Sequence, residues 1–467
     1  MCRSSTEPQG PRRCSGDTRA NYQRAAETAD RLERAYTALS AQTLHRTPAA
    51  SFTMALPHGV ESAVRTARRV GNPLIVGGAV RDAALGVTPK DVDIEVHGVD
   101  IDTLAQRYRS DGFSVDEVGR QFGVLKISKP GTLIDLDVSV PRRENKISAG
   151  HRGFAVVTDP ELTVTEAAAR RDFSINAMLY DPHRKLLIDP FGGLSDLHNR
   201  RLRHVSDQFG EDPLRVLRAV QLAGRFGLAL DPETAAVCRR LRPHFGELAV
   251  ERTREEWAKL FTKSRRPECA LQVLRDSGWD DTLPGLRAAI TDPEITRAFS
   301  AIPTLAPQDR MAVGAAILSS AMSAADRRQF LHHTVTGAAA TRIAEDLVTT
   351  RHQRLATSYA RRRYAAQMAR RGFTFERYLA YSQALEDESG QREARAAVRD
   401  GLARGPLTAM IQGRDVLAVS QTARKPGKWV GTWVADALDR QHRGQFASRE
   451  DALRWLATAI AAEPPPG

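Results

Sequence analysis

Cysteine is scarce in this chain, with four in 467 residues: Cys2, Cys14, Cys238 and Cys269. They have neither paired spacing nor a companion histidine pattern, which excludes a disulfide framework and a structural zinc site. Free thiols in a reducing cytosol are the expected state. No apolar run approaches the roughly 20 residues that a membrane-crossing helix needs, so no membrane partner is expected and the location read from the sequence is cytoplasmic. Residues 1–53 lack an apolar signal core, and the acids Glu27, Asp30 and Glu33 are out of keeping with a transit peptide. Internal repeats are also missing, which excludes a solenoid or propeller array.

What the chain has is length and positive charge. At 467 residues it exceeds one ordinary core, so two or more packed units plus tails are expected. The formal net charge of +12 favours a polyanionic partner, nucleic acid before membrane, since no basic amphipathic anchor is evident. The charge is concentrated between Arg351 and Arg371, where Arg351, Arg354, Arg361, Arg362, Arg363, Arg370 and Arg371 occur without a carboxylate among them. On a helix these would spread over a broad face able to track phosphates.

From Val60 the patterning is α/β. A helix to about Val70 leads into a strand from Pro73 to Val76 and a glycine turn. Further strands are expected at Asp91 to Val96, Gly123 to Ser128 and Leu133 to Val140. The stretch from Arg142 to Gly153 is charged and loose. Past Thr165 the pattern turns mainly helical, and breakers at Gly401, Gly405 and Pro406 mark off a small C-terminal module.

The strongest local signal is Gly77-Gly78-Ala79-Val80-Arg81-Asp82, followed by Asp91-Val92-Asp93. Paired glycines after a strand let backbone approach a triphosphate closely, and Arg81 in the first turn of the next helix can add a guanidinium. Residues two apart on a strand share a face, so Asp91 and Asp93 converge while Val92, Ile94 and Val96 point inward. Two carboxylates side by side repel unless a cation lies between them. Hard oxygen ligands beside a phosphate site suit Mg²⁺, and two such ions can activate a 3′-hydroxyl and stabilise departing pyrophosphate. A third carboxylate comes from Ile134-Asp135-Leu136-Asp137-Val138, with Asp137 favoured over Asp135.

Two later constellations add to this. In Arg170-Arg171-Asp172-Phe173-Ser174-Ile175-Asn176, Arg171 can pair with a triphosphate, and Asp172 or Asn176 can bond a ribose hydroxyl. In Glu211-Asp212-Pro213-Leu214-Arg215, Asp212 and Arg215 are helix neighbours. A carboxylate accepting from an exocyclic amine, with a guanidinium donating to the adjacent ring nitrogen, fits cytosine and adenine and rejects uracil and guanine. The plain alternative is Asp212 as helix cap with Pro213 at the first helical position.

Taken in order, LIVGGAVRDAALGVTPKDVDIEV, RRDFSINAMLYD, LIDPFGGLSDLHNRRLRHV and FGEDPLRVLRAVQLAGRFG resemble the class II CCA-adding enzymes and their relatives, the bacterial poly(A) polymerases. The similarity is dense from about Pro73 to Leu230 and resumes faintly at QGRDVLAV and SREDALRWL. It implies Asp91 and Asp93 as metal ligands, Gly78, Arg81 and Arg171 on the triphosphate, and Asp212 and Arg215 on the base. Arg218 would also lie against the nucleotide. The implied fold is an α/β N-terminal nucleotidyltransferase head, a mixed sheet with helices, followed by all-α neck, body and tail. The corresponding boundaries are a disordered extension over 1–53, head 54–200, neck 201–262, body 263–400 and tail 401–467. Gln221 stands where many relatives have a further arginine. The segment from Gly119 to Ile127 lacks the His-Val ending of the poly(A) branch, and the body has no His-Asp pair of the metal phosphohydrolase type. The expectation is Mg²⁺-dependent addition of CCA to the tRNA 3′ end from CTP and ATP, with no obligate protein partner. The rivals are poly(A) addition, CC-only or A-only addition, and a non-catalytic RNA-binding relative.

Overall fold

Five consecutive buried residues, Asn72–Val76, form strand β1 near the centre of a seven-stranded mixed sheet in the computed structural model. The structure describes residues 52, 54–57, 59–89, 91–129, 135–146, 154–420 and 426–462. The extension expected over 1–53 lies outside the described residues except for Phe52, which is buried with its ring edge against Tyr180. Residues 133–134 of an expected strand and most of the expected 142–153 loop fall outside them too. Among the described residues no helix is long and apolar enough to cross a membrane.

Chain contacts divide the protein into two units. The first comprises residues 1–215 and 228–241. It opens with helix α1 (Val60–Ala67), β1 and helix α2 (Gly78–Ala84), then β2 (Asp93–His97) and helix α3 (Ile101–Ser110). Next come β3 (Ser114–Asp116), β4 (Val124–Ser128) and β5 (Asp135–Ser139), and the order across the sheet is β3-β4-β5-β2-β1-β8-β9. β8 (Leu179–Asp181) and β9 (Leu186–Ile188) close one edge. β2 and β5 are the parallel pair, and all other neighbours are antiparallel. Local chemistry sets the helix starts. Asp100 caps α3 by accepting from Asp102 N and Thr103 N, and a Thr163–Glu166 capping box starts helix α4 (Val164–Ala169).

The structure departs from the sequence reading in three places. Strand β2 begins at Asp93, leaving Asp91 in the bend before it. β8 and β9 occur where helix was expected, because three-residue strands are too short to show a period and are set by pairing with β1. Arg142–Lys146, read as loose, forms strand β6 because the β-branched run in β7 (Phe154–Thr158) offers it an antiparallel partner.

The second unit comprises residues 216–227 and 242–467. From Val250 to Ala462 every strand or helix among its described residues is helical. Trp257, Phe261, Phe299 and Phe330 pack edge-on or tilted in its core. A separate cluster of Ile411, Val416, Ala437, Ala452, Leu456 and Ile460 holds the last three helices together. The boundary between units falls inside helix α5 (Leu214–Phe226), between Arg215 and Val216.

Candidate active site

The site in the first unit is built where β1 ends and β2 begins, alongside β5. The register pairs Val76 with Asp93 and Ile94 with Val138, which puts Asp93 beside Asp137 on the neighbouring strand. Asp91 and Asp93 are both exposed with buried Val92 between them, so the one-face arrangement survives the later strand start. Asp93 reaches solvent, yet the protein packed around it withdraws enough water to lift its carboxyl above the ordinary range. Arg171 pulls back, while the negative charges of Asp137 and Asp91 push further up. Asp135 instead lies 3.4 Å from Lys126 Nζ. Among the described residues no group of three acids, histidines or cysteines forms a ready metal cage. A pair of carboxylates completed by substrate phosphates is the arrangement Mg²⁺ accepts, and the strain on Asp93 is of the kind a cation relieves.

Each glycine of the pair makes room for one arginine. Gly77 has φ +70° and ψ −135°, and a Cβ there would stand 3.1 Å from Arg171 Nη1. A Cβ on Gly78 would stand 3.2 Å from Arg81 Nη2. Arg171 leaves the C-terminal end of α4 and keeps a buried Nε with no hydrogen-bond acceptor. That orphaned donor is what an anionic ligand would satisfy. Arg81 is buried and engaged: Nη1 donates to Asn176 Oδ1 at 2.5 Å, and Nε and Nη2 donate to Asp82 Oδ1.

Asp172 and Asn176 are joined to each other and, through Asn176, to Arg81. Both are buried; Asn176 Nδ2 donates to Asp172 Oδ1 at 2.9 Å, as does Phe173 N at 2.8 Å. In this geometry they buttress Arg81 through the Asn176 side chain. The turn carrying Asn176 is fixed from below. Ser174 Oγ donates to Asp196, and Gly193 passes so close that a Cβ would meet Ser174 O at 2.2 Å.

Asp212 and Arg215 open helix α5. Asp212 Oδ1 accepts from Leu214 N at 3.1 Å, so the capping role is real and occupies one oxygen. Arg215 Nη1 donates to Gln208 O at 2.7 Å and Nη2 to Arg170 O at 3.0 Å, which fixes the plane of its guanidinium. Arg215 also lines a cavity of about 240 Å³ with Arg142, Arg143, Arg170, Glu166 and Glu211. Arg218 and Gln221 belong to the second unit. There Arg218 Nη1 lies 3.9 Å from the buried Glu256, which also accepts from Lys259, and Gln221 is buried.

The sequence reading missed Glu95. It continues the period-two face of Asp91 and Asp93, yet it is fully buried. His97 Nε2 lies 3.2 Å from Oε1, and Arg170 and Arg171 approach Oε2 at 3.5 and 3.6 Å. Burial alone would raise its carboxyl, but the His97 hydrogen bond and the charges of Arg171, His97 and Arg170 draw it well below the usual range. The available signal was an acid and a histidine continuing the alternation that Asp91 and Asp93 begin.

The arginine run in the second unit is also more structural than its sequence suggested. Its carboxylates come from other helices: Arg361 pairs with Asp400, Arg371 with Asp346, and Arg351 with Asp387. Arg354, Arg363 and Arg370 remain exposed.

Residues 74–203 match the family described as "Poly A polymerase head domain", and residues 227–290 match "Probable RNA and SrmB- binding site of polymerase A". The "Multifunctional CCA protein" of Xylella fastidiosa (strain M23) is 39% identical over 226 residues, which is 47% of this chain and 52% of the relative. The chain thus spans about half the length of the curated relatives it matches. The fold matches Bacillus stearothermophilus CCA-adding enzyme in complex with CTP at a TM-score of 0.65 and 22% identity, covering 86% of this chain and 97% of that one. Thermotoga maritima CCA-adding enzyme complexed with tRNA matches at 0.54 and 16%, over 85% and 96%. At these identities the likeness concerns the fold.

Proposed function

We propose, for a chain that belongs to the class II CCA-adding enzyme and poly(A) polymerase family, that it adds CCA to the 3′ end of tRNA from CTP and ATP. The observation that carries this reading is one corner of the first unit. There mutually repelling carboxylates, Asp93 with Asp137 and Asp91, stand beside an arginine with an unsatisfied buried donor.

In this reading Asp91 and Asp93 hold Mg²⁺, with Asp137 alongside. When bound, the ion supplies charge neutralisation for the attacking 3′-oxygen and the leaving pyrophosphate. The chain's own residues do the rest. Arg171 meets the triphosphate across the bare backbone of Gly77, and Arg81, braced by Asp82 and Asn176, supports it beside Gly78. Asp172 acts behind Asn176. Asp212 accepts from the amine of cytosine or adenine, and Arg215, planed by two carbonyls, donates to the ring nitrogen. Arg218, three residues further along the helix, is a further nucleotide contact by the family's pattern. Arg142 and Arg143 line the cavity that Arg215 lines, which supports a role for the 142–153 segment in the change from C to A. Residues 201–262 serve as neck, with 263–400 and 401–467 as tRNA-binding body and tail, and the enzyme works in the cytoplasm.

The test is sequencing of 3′ ends after incubation with Mg²⁺, CTP, ATP and tRNA transcripts lacking CCA, CA or A. Addition that stops at CCA on all three supports the reading. Long A tails, CC-only or A-only products each replace it with the corresponding activity, and no extension leaves an RNA-binding relative.

A further inference from the structure

Glu95 sits two residues beyond Asp93 and approaches the proposed nucleotide site through Arg171 and Arg170. Its two oxygens divide the work. Oε1 faces His97 Nε2 at 3.2 Å, and the other ring nitrogen of His97 faces Leu162 O at 3.4 Å, which locks the imidazole in place. Oε2 faces Arg170 Nη2 at 3.5 Å and Arg171 Nη2 at 3.6 Å. The two arginines are adjacent in sequence and diverge in what they reach. Arg171 lies against Gly77 on the phosphate side. Arg170 lines the cavity that Arg215 also lines, and its carbonyl accepts from Arg215 Nη2 at 3.0 Å.

We propose that Glu95 is a positioning residue that links triphosphate binding to base choice, holding Arg171 toward the phosphates and Arg170 in the place from which its carbonyl orients Arg215. The inference rests on the functional reading above. One carboxylate shared between two guanidiniums leaves net positive charge for the substrate while fixing where that charge stands. A carboxylate is suited to this because it accepts from several donors at once. Base choice depends on the plane of the Arg215 guanidinium, since a donor rotated off the ring nitrogen no longer penalises the wrong edge. A disturbance at Glu95 therefore reaches the base through the Arg170 backbone, although Glu95 is not among the residues lining that cavity.

The experiment uses the full chain and two readouts: CTP affinity by calorimetry, and the rate of UTP against CTP incorporation on tRNA lacking CCA. Glu95→Gln is expected to weaken CTP binding about tenfold and to raise relative UTP incorporation about as much. In an Arg171→Ala background, adding Glu95→Gln should weaken CTP binding no further, yet still relax base choice. Glu95→Asp keeps the charge and withdraws the carboxylate, so it should melt like the wild type and show both defects in milder form. If Glu95→Gln fails to fold, Glu95→Asp decides. Unchanged affinity and base choice in the folded variant, or losses that add fully to those of Arg171→Ala, overturn the proposal. A wild-type protein that neither binds CTP nor extends tRNA overturns the functional reading instead.

Discussion

Replacing Gly77 with alanine separates backbone strain from loss of the site. Gly77 has φ +70° and ψ −135°, a conformation close to a region reserved for glycine. Holding another residue in such a place costs about 1–3 kcal/mol. The new methyl would also stand 3.1 Å from Arg171 Nη1, closer than ordinary contact. Arg171 has little room to yield, because its guanidinium is half-fixed by Glu95. A displaced charge-assisted contact to phosphate is worth about 1.5–3 kcal/mol, or at least tenfold in affinity. A control is available at Gly86, which has φ +72° and nothing within 4 Å of an added Cβ. Gly86→Ala carries strain of about 1–2 kcal/mol alone. For a unit of this size, 1 kcal/mol moves the melting temperature by about 2–4 °C. Both variants should therefore melt several degrees lower, and only Gly77→Ala should bind CTP about tenfold more weakly. Equal CTP affinity in the two variants, measured by calorimetry at a temperature where both are folded, would refute the proposed meeting of Arg171 and the triphosphate.

Asp93→Asn should abolish nucleotide incorporation and yet raise the metal-free melting temperature near neutral pH. The sign follows from a carboxyl whose folded pKa is raised. Its ionised form destabilises the fold above that pKa, and the penalty fades as pH falls through it. The gain should shrink in acid, and a variant that melts lower throughout would contradict it. Arg215→Ala should relax choice among the four nucleotides by about tenfold or more, read by competing CTP with UTP on one transcript. Asp400→Ala leaves Arg361 buried without its carboxylate, and should cost about 3 kcal/mol in denaturant unfolding. Arg354→Ala and Arg370→Ala should leave stability unchanged, weaken tRNA binding and flatten its salt dependence. Unaltered salt dependence would remove these two from the RNA path.

The parts legible in the sequence were those written in short-range spacing. Paired glycines after an apolar run, aspartates two apart, and an acid three residues before an arginine each specify geometry within one element. The order of the motifs pointed to the head and its helical continuation. What stayed hidden depended on partners distant in sequence. β8 and β9 are strands only because β1 is beside them. Arg361 and Arg371 looked like a phosphate track because Asp400 and Asp346 come from other helices. The side chains of Asp172 and Asn176 suit a ribose hydroxyl, and only the fold shows that Asn176 also holds Arg81 while bonded to Asp172. Glu95 was hidden by its own strand, whose apolar neighbours made it read as sheet filler.

These hidden partners explain why the site holds opposite charges apart. On one side Asp93, Asp137 and Asp91 repel one another, with Arg171 relieving part of the cost. On the other, two guanidiniums share the single carboxylate of Glu95, and the Nε of Arg171 has no acceptor. Letting Arg171 collapse fully onto Asp93 would relieve both, but Glu95 draws its Nη2 the other way. A polyanion alone would satisfy the arginines and worsen the carboxylates, whereas a cation alone would do the reverse. A nucleoside triphosphate carrying a divalent cation answers both demands in one binding event. This separation of charge therefore favours that substrate class before any single contact to the base is counted.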